Sequence, residues 1–418
     1  PHLHEGIDQM SLALIHLLSH IFSPSTSPTV SIIRRISDSS SQTFLAPLLH
    51  PFYSYQVRNT TCVGFREFRS VFVYLISFFV NVGRVVARRT YMKIAVCTDS
   101  GAGFSPEEAE RLGVRIIPMS FLIDGKTYTE GATEQNSMDA PGQTTLKVSD
   151  QQSTLTRETF FEKLQASKTC STSMPAPGDM MDLWDELLLT HDAVIYVTIS
   201  SGLSGTFMAA KMLSMEDEYA RKVYICDSRG VSISEQRIVR DVLQLIDYGY
   251  SPEDIIDWIS EEAGNASIYV AFNTLEYLKK GGRITPAAAA IGSVLKLHPI
   301  LSLMDGGSLD ACATARNMTQ AKIRMMNQIE GDLVKKYHDP RASYCQFAIA
   351  YSQDRAEAEA FARQLVAHFP ERFPSDIMIS PLSLPVCEHI GPGGLGVGVW
   401  PVMDVSLVER AMHRRKVG

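Results

Sequence analysis

The chain lacks most of the short motifs that announce a chemistry. No GxxxxGK[ST] loop occurs in its 418 residues. Its two small-residue turns, Ser200-Ser201-Gly202-Leu203-Ser204-Gly205-Thr206 and the glycine-rich stretch after His389, hold no lysine, which argues against binding of a nucleoside polyphosphate. GxSxG, the elbow that exposes a serine nucleophile in α/β hydrolases, is also missing. The seven cysteines (Cys62, Cys97, Cys170, Cys226, Cys312, Cys345 and Cys387) form no CxxC pair and have no histidine at metal-ligand spacing. A disulfide framework or a structural zinc is therefore not expected, no metal ligand is assigned, and the thiols read as free in a reducing, cytoplasmic compartment.

Lysine is absent from residues 1–91, which carry eight Arg and four acids. Of the chain's 39 Lys and Arg and 46 Asp and Glu, that leaves 31 basic and 42 acidic side chains in the remainder, a net charge near −11. So acidic a body is a poor binder of nucleic acid. The apolar run Val71 to Val82 has twelve residues, short of the roughly 20 that a spanning helix needs. No stable membrane insertion is expected, and at most transient contact with a membrane surface. Acid-poor and rich in Arg and Ser, residues 1–91 resemble a transit peptide in composition; they read as an extension, disordered or outside the native domain.

What the chain does have begins at Met92. Lys93 to Thr98 is a short buried strand, and Ser105-Pro106-Glu107-Glu108 opens a helix with a cap and an N1 proline. Val114 to Ile123, broken at Pro118, and the Asp124-Gly125 turn indicate a hairpin. Residues 132–153 turn polar and read as a mobile insertion. Ala193 to Ile199 (AVIYVTI) is a buried parallel strand that ends in the serine-glycine turn. Strand and helix alternate onward through Lys222 to Cys226 and the capped helix at Ser251-Pro252, which argues for a parallel sheet covered on both faces. A second unit begins near Ser267 and continues the α/β pattern, closing on a glycine-rich loop that carries His389. Two α/β domains are expected, 92–265 and 266–407, with a tail at 408–418.

Ligands of such sheets sit beyond the carboxyl ends of the strands, where Thr98 to Ser100, the Ser200 turn and Asp227-Ser228 all fall. The turn's free N–H groups and hydroxyls suit one anionic oxygen, although the same turn fits a serine-capped βα connection with no ligand. The hydroxyl-rich stretch Thr169 to Pro177 reads as a loop presenting donors. Thr172, Ser173, Ser201 and Ser204, with Arg283 and His389 as candidates beside them, suit a single carboxylate rather than a nucleophile. The apolar run Ala287 to Leu297 is a candidate wall for an oily tail or a plain core helix. A hydrolase using a serine and His389, and a small-metabolite sensor, are the alternatives.

Several segments resemble the DegV family of bacterial fatty-acid-binding proteins, which includes the FakB subunits of fatty acid kinase. They are Thr98-Asp99-Ser100, Thr172-Ser173-Met174-Pro175, the SSGLSGT turn, Leu275 to Ile284 (LEYLKKGGRI), Pro299-Ile300-Leu301 and His389-Ile390-Gly391-Pro392-Gly393. The resemblance implies two α/β domains, the first with a mainly parallel sheet, and a long-chain acyl group between them. It implies Thr172 and Ser204 as carboxylate ligands with Ser173 and Ser201 beside them, and Arg283 and His389 in the polar network or on a kinase-docking face. It further implies a carrier without catalysis or cofactor of its own, whose bound acid a separate kinase subunit phosphorylates. The insertion, the extension and Gly230-Val231-Ser232-Ile233 depart from the family pattern.

Overall fold

The computed structural model describes residues 92–130, 155–286, 288, 297–369, 377–405 and 408–409. The extension 1–91, the insertion 132–153, most of the apolar run 287–297 and most of the tail 408–418 lie outside the described residues.

Four strands form an all-parallel sheet in the order β2-β1-β6-β7 (Val114–Ile117, Ile94–Asp99, Ala193–Thr198, Val223–Asp227). Side chains alternate across a strand, and here both sides are buried. Ala95, Cys97, Val194 and Tyr196 pack with Met180, Leu183 and Trp184 of α3 (Pro177–Leu188). Val96, Ile195 and Val197 pack instead with Ile238, Val239 and Val242 of α5 (Ile233–Asp247) and with α6 (Pro252–Glu262). The expected caps form: Ser105 accepts the Glu108 N–H at the start of α1 (Pro106–Leu112), and Ser251 accepts the Asp254 N–H at the start of α6.

A small antiparallel sheet, β4-β3-β5 (Lys126–Thr129, Ser120–Ile123, Cys170–Thr172), follows from the Asp124-Gly125 hairpin. Its third strand departs from the loop expected over Thr169 to Pro177. Pro175 and Pro177 lie beyond the three residues that pair with β3, so they do not interrupt the ladder. The apolar side of this sheet, with Phe160 and Phe161 of α2 (Arg157–Ala166), joins a core shared with α7 (Glu276–Gly281) and α10 (Leu384–Ile390).

The third sheet has six strands in the order β10-β9-β8-β13-β11-β12 (Leu309–Ala315, His298–Leu303, Ser267–Ala271, Leu395–Pro401, Cys345–Tyr351, Met378–Pro381), antiparallel except for the β11–β12 pair. The helices α8 (Met318–Lys335) and α9 (Arg355–His368) contribute to the core on this sheet. A second correction arises here: the expected loop from Cys387 to Gly396 is a loop only in its middle. Cys387 to Ile390, with His389, lie on α10, Gly391 to Gly394 form the expected glycine-rich turn, and Leu395-Gly396 begin β13, in the interior of the sheet. Gly398 is a packing glycine, since a Cβ there would lie 2.6 Å from Ile268 Cδ1 and 2.8 Å from Trp400 Cζ3. Among the described residues no helix is long and apolar enough to cross a membrane.

Candidate functional site

The winding of the parallel sheet reverses between β1 and β6, because the chain leaves β1 toward β2 on one side and returns through β6 on the other. A crevice beyond the carboxyl ends of two such strands is where ligands of open α/β sheets bind. Asp99, fully buried at the end of β1, fastens this point: its Oδ1 accepts the Gly101 N–H at 2.9 Å and its Oδ2 the Ile199 N–H at 2.8 Å. Burial pushes its carboxyl from 3.8 up to about 7, with those two N–H groups opposing the shift.

The turn after β6 is closed by the N–H groups of Leu203 and Ser204, both donating to the Ser200 carbonyl at 3.0 Å, and leads into α4 (Thr206–Leu213). It is seated on the β9–β10 turn of the six-stranded sheet. Ser200 Oγ donates to the Gly307 carbonyl at 2.8 Å. A Cβ on Gly202 would stand 2.7 Å from the Gly306 oxygen, so only glycine permits this approach.

Facing the turn, β5 lies against α7 and α10. Thr172 Oγ1 is 2.8 Å from His389 Nε2, and the Glu388 carboxylate stands beside the same nitrogen, with Oε2 at 3.1 Å. The imidazole is stacked so closely on α7 that a Cβ on Gly281 would fall 2.1 Å from Nδ1. Nδ1 itself is buried without a hydrogen-bonding partner. A carboxylate beside Nε2 and no acceptor at Nδ1 assign the ring proton to Nε2. The Thr172 oxygen then accepts from His389, and its own hydrogen is left to donate into the space between β5 and the serine turn.

Burial and the nearby Arg283 charge lower the His389 pKa from 6.5 to about 4, so the ring is neutral at physiological pH. Because the folded protein binds this proton less tightly than the unfolded chain, the stability contributed by neutral His389 is complete above about 6.5 and is lost as pH falls through about 4. Nitrogen-detected NMR of the histidines is expected to show His389 as the Nε2–H tautomer with no titration between about pH 8 and about pH 5; a ring titrating near its ordinary value would contradict the assignment. Burial raises Glu388, with the Cys170 thiol and Arg283 opposing, and burial together with Glu388 pushes Cys170 up to about 12. Neither Glu388 nor Cys170 was expected at the site. The period of two along β5, which puts Cys170 on the face of Thr172, and the direct adjacency of Glu388 to His389 are the signals that place them.

The structure brings Thr172, Ser173, Ser204, Arg283 and His389 together around one cavity of about 70 Å³. Its other walls are apolar, among them Leu203, Val231, Leu278, Leu309, Val386 and Ile390. Ser204 Oγ is 2.8 Å from Thr206 Oγ1. Arg283 ties the two sides, donating from Nε to the Leu203 carbonyl at 3.3 Å and from Nη1 to the Gly281 carbonyl at 2.5 Å. Ser201 is placed elsewhere: its hydroxyl donates to Asp227 Oδ2 at 2.5 Å and its N–H to Oδ1 at 3.1 Å, and it does not line the cavity. A 150 Å³ apolar cavity holds a benzene, so this space has the size of a carboxylate head and the first carbons of a chain. The expected wall 287–297 lies largely outside the described residues, although Ala288 is buried in the same core.

The chain resembles known proteins over this whole region. It is 27% identical over 312 residues to a DegV domain-containing protein of Staphylococcus aureus, covering 73% of this chain and 97% of the relative. A crystal structure of DegV from Bacillus subtilis, described as a fatty acid binding protein, superposes with a TM-score of 0.60 at 26% identity, covering 74% of this chain and all of that one. A DegV family protein of Thermus thermophilus gives a TM-score of 0.61 at 24% identity, again with 74% and 100% coverage. The profile of the family described as "Uncharacterised protein, DegV family" matches residues 145–402. With more than half of its length matched, the chain belongs to the DegV family.

Proposed function

We propose that this protein binds a long-chain fatty acid, holds its carboxylate on the hydroxyls of Thr172 and Ser204, and presents it to a separate fatty acid kinase. One observation carries the reading: hydroxyls from two separate segments, β5 and the β6–α4 turn, face one cavity whose remaining walls are largely apolar. The hydroxyls supply neutral donors that favour the charged head, and Arg283 adds a positive charge close by. On this reading Ser173 and Arg283 belong to the surrounding polar network, and residues 92–265 and 266–407 form two domains with the acid between them. We place the carrier in the cytoplasm, where the six described free thiols stay reduced. It does no chemistry of its own. In the kinase reaction a carboxylate oxygen bonds to the γ-phosphorus of ATP, the bridging P–O bond breaks, and its electron pair leaves on ADP without any proton transfer.

The hydrolase alternative wants a serine on His389. The hydroxyl on that ring is Thr172's, and the nitrogen that an orienting carboxylate would hold is without a partner. The small size of the cavity favours a second reading, a short carboxylic acid bound as a signal. Extraction of the purified protein with organic solvent, followed by mass spectrometry, separates the two. A long-chain fatty acid near one per chain is expected; a short polar acid, or no acid, would overturn the carrier.

A further inference from the structure

The helix that carries His389 is capped from outside. α10 begins after Ser383, a residue type that caps helices, yet the Ser383 hydroxyl is buried without a partner and makes no capping bond. Pro385, the second residue of the helix, supplies no N–H. The Leu384 N–H donates instead to Glu130 Oε1 at 2.9 Å, across 254 positions. Glu130 stands directly after β4, in the sheet whose other edge is β5. One small sheet thus meets α10 twice, at Leu384 through Glu130 and at His389 through Thr172.

At 1.5 Å per residue these two ties stand roughly 7.5 Å apart along the helix axis. One tie leaves a helix of seven residues free to turn about it; two fix its rotation and its position on the sheet together. Arg157 grips the same helix from α2. Its Nη1 donates to the Ser352 carbonyl at 2.7 Å and to Cys387 Sγ at 3.4 Å, and its Nη2 donates to the Leu382 carbonyl at 2.6 Å. Ser352 and Leu382 directly follow β11 and β12, so the guanidinium fork anchors α10 to the ends of that strand pair.

Glu130 Oε2 is buried without a partner. The titratable or charged groups beside the carboxyl are Arg157 of α2 and the Cys387 thiol of α10. Burial raises the carboxyl from 4.5 to about 7, with the Leu384 N–H and the Arg157 charge opposing. The folded protein therefore binds this proton more tightly than the unfolded chain does. The stability tied to it is complete below about 4.5 and is lost as pH rises through about 7. A carboxylate that lowers stability where it stands fits a positional role better than a packing role.

We infer that Glu130 is a positioning residue for the carboxylate site: by capping α10 from the small sheet it keeps His389 on Thr172, and so aims the Thr172 hydroxyl at the bound acid. The inference rests on the carrier reading above for its ligand and on the Thr172–His389 bond for its geometry.

The test titrates oleate and methyl oleate into the wild type, Glu130→Ala, Glu130→Gln and Glu130→Asp, and follows the His389 ring nitrogens of each by NMR. Glu130→Ala is expected to weaken oleate binding about tenfold and methyl oleate binding by less than about twofold, and to replace the Nε2–H signature of His389 by a mixture of tautomers. Glu130→Gln keeps an acceptor oxygen and should match the wild type in all three. Glu130→Asp keeps the charge but is one methylene shorter; it should behave as the alanine variant does, and it decides where Glu130→Ala does not fold. Wild-type oleate affinity with an unchanged His389 signature in the alanine and aspartate variants would overturn the proposal. So would equal losses for oleate and its ester, the mark of general loosening, or a glutamine variant as impaired as alanine, the mark of a charge effect. A wild type that binds neither ligand would overturn the carrier reading, and the His389 signatures would still decide for or against Glu130.

Discussion

Gly307→Ala is expected to lower stability by about 2 to 5 kcal/mol, the sum of a left-handed backbone cost and an overpacking cost. The first arises because Gly307 sits at φ +76°, where an L side chain is strained. The second arises because its Cβ would fall 1.8 Å from Ser200 Oγ. Relief requires Ser200 to give up its bond to the Gly307 carbonyl, and the serine-glycine turn then lifts off the β9–β10 turn. Ser204 and Leu203, which line the cavity from that turn, move with it, so fatty acid affinity should fall together with stability. Denaturant unfolding and a fatty acid titration check the two effects. Adding Ser200→Gly should relieve the overlap with the hydroxyl and leave the backbone cost, the 3.2 Å approach to Arg229 Cα and the loss of the Ser200 hydrogen bonds. A variant with wild-type stability would show that the turn is not seated as described.

Gly281→Ala acts at the opposite wall. Its Cβ would stand 2.1 Å from His389 Nδ1 and 2.6 Å from Cε1, and neither atom can simply swing away, since the ring is sandwiched between α7 and β5. Overpacking alone should cost about 1 to 3 kcal/mol of stability. Displacement of the ring also frees Thr172 from the bond that fixes its hydroxyl, so the binding loss should approach that of removing the hydroxyl itself. Unfolding and binding measured on the same preparation separate these contributions. Retained affinity would mean that His389 does not orient Thr172.

Both glycines lie in segments that stand out in the sequence, and the reason they matter was only partly legible there. The parallel sheet was readable because AVIYVTI and KIAVCT are continuous apolar runs of strand length with turn residues after them, as burial on both faces demands. The hairpin at Asp124-Gly125 and the capped helices at Ser105 and Ser251 were readable from local chemistry. The strand β13 was not, because its glycines resemble a loop until Ile268 and Trp400 are seen to occupy the space a side chain would need. Nor was β5, three residues long and defined by its partner β3 rather than by its own pattern.

At the site, hydroxyl content pointed to Thr172, Ser173 and Ser204, which do meet around the cavity. Nothing in SSGLSGT distinguishes Ser201 from Ser204. Their roles diverge because Asp227, on the adjacent strand β7, captures the first. The pairing of Thr172 with His389 spans 217 positions and has no local signature.

In the proposed carrier Thr172 donates to the head of the bound acid. Isothermal titration of the wild type and Thr172→Ala with a long-chain fatty acid and with its methyl ester measures that bond directly. Thr172→Ala is expected to weaken acid binding by about 1 to 3 kcal/mol while ester binding changes little, as loss of a hydrogen bond to a buried charged group requires. Equal affinities of the two proteins for the acid would contradict it.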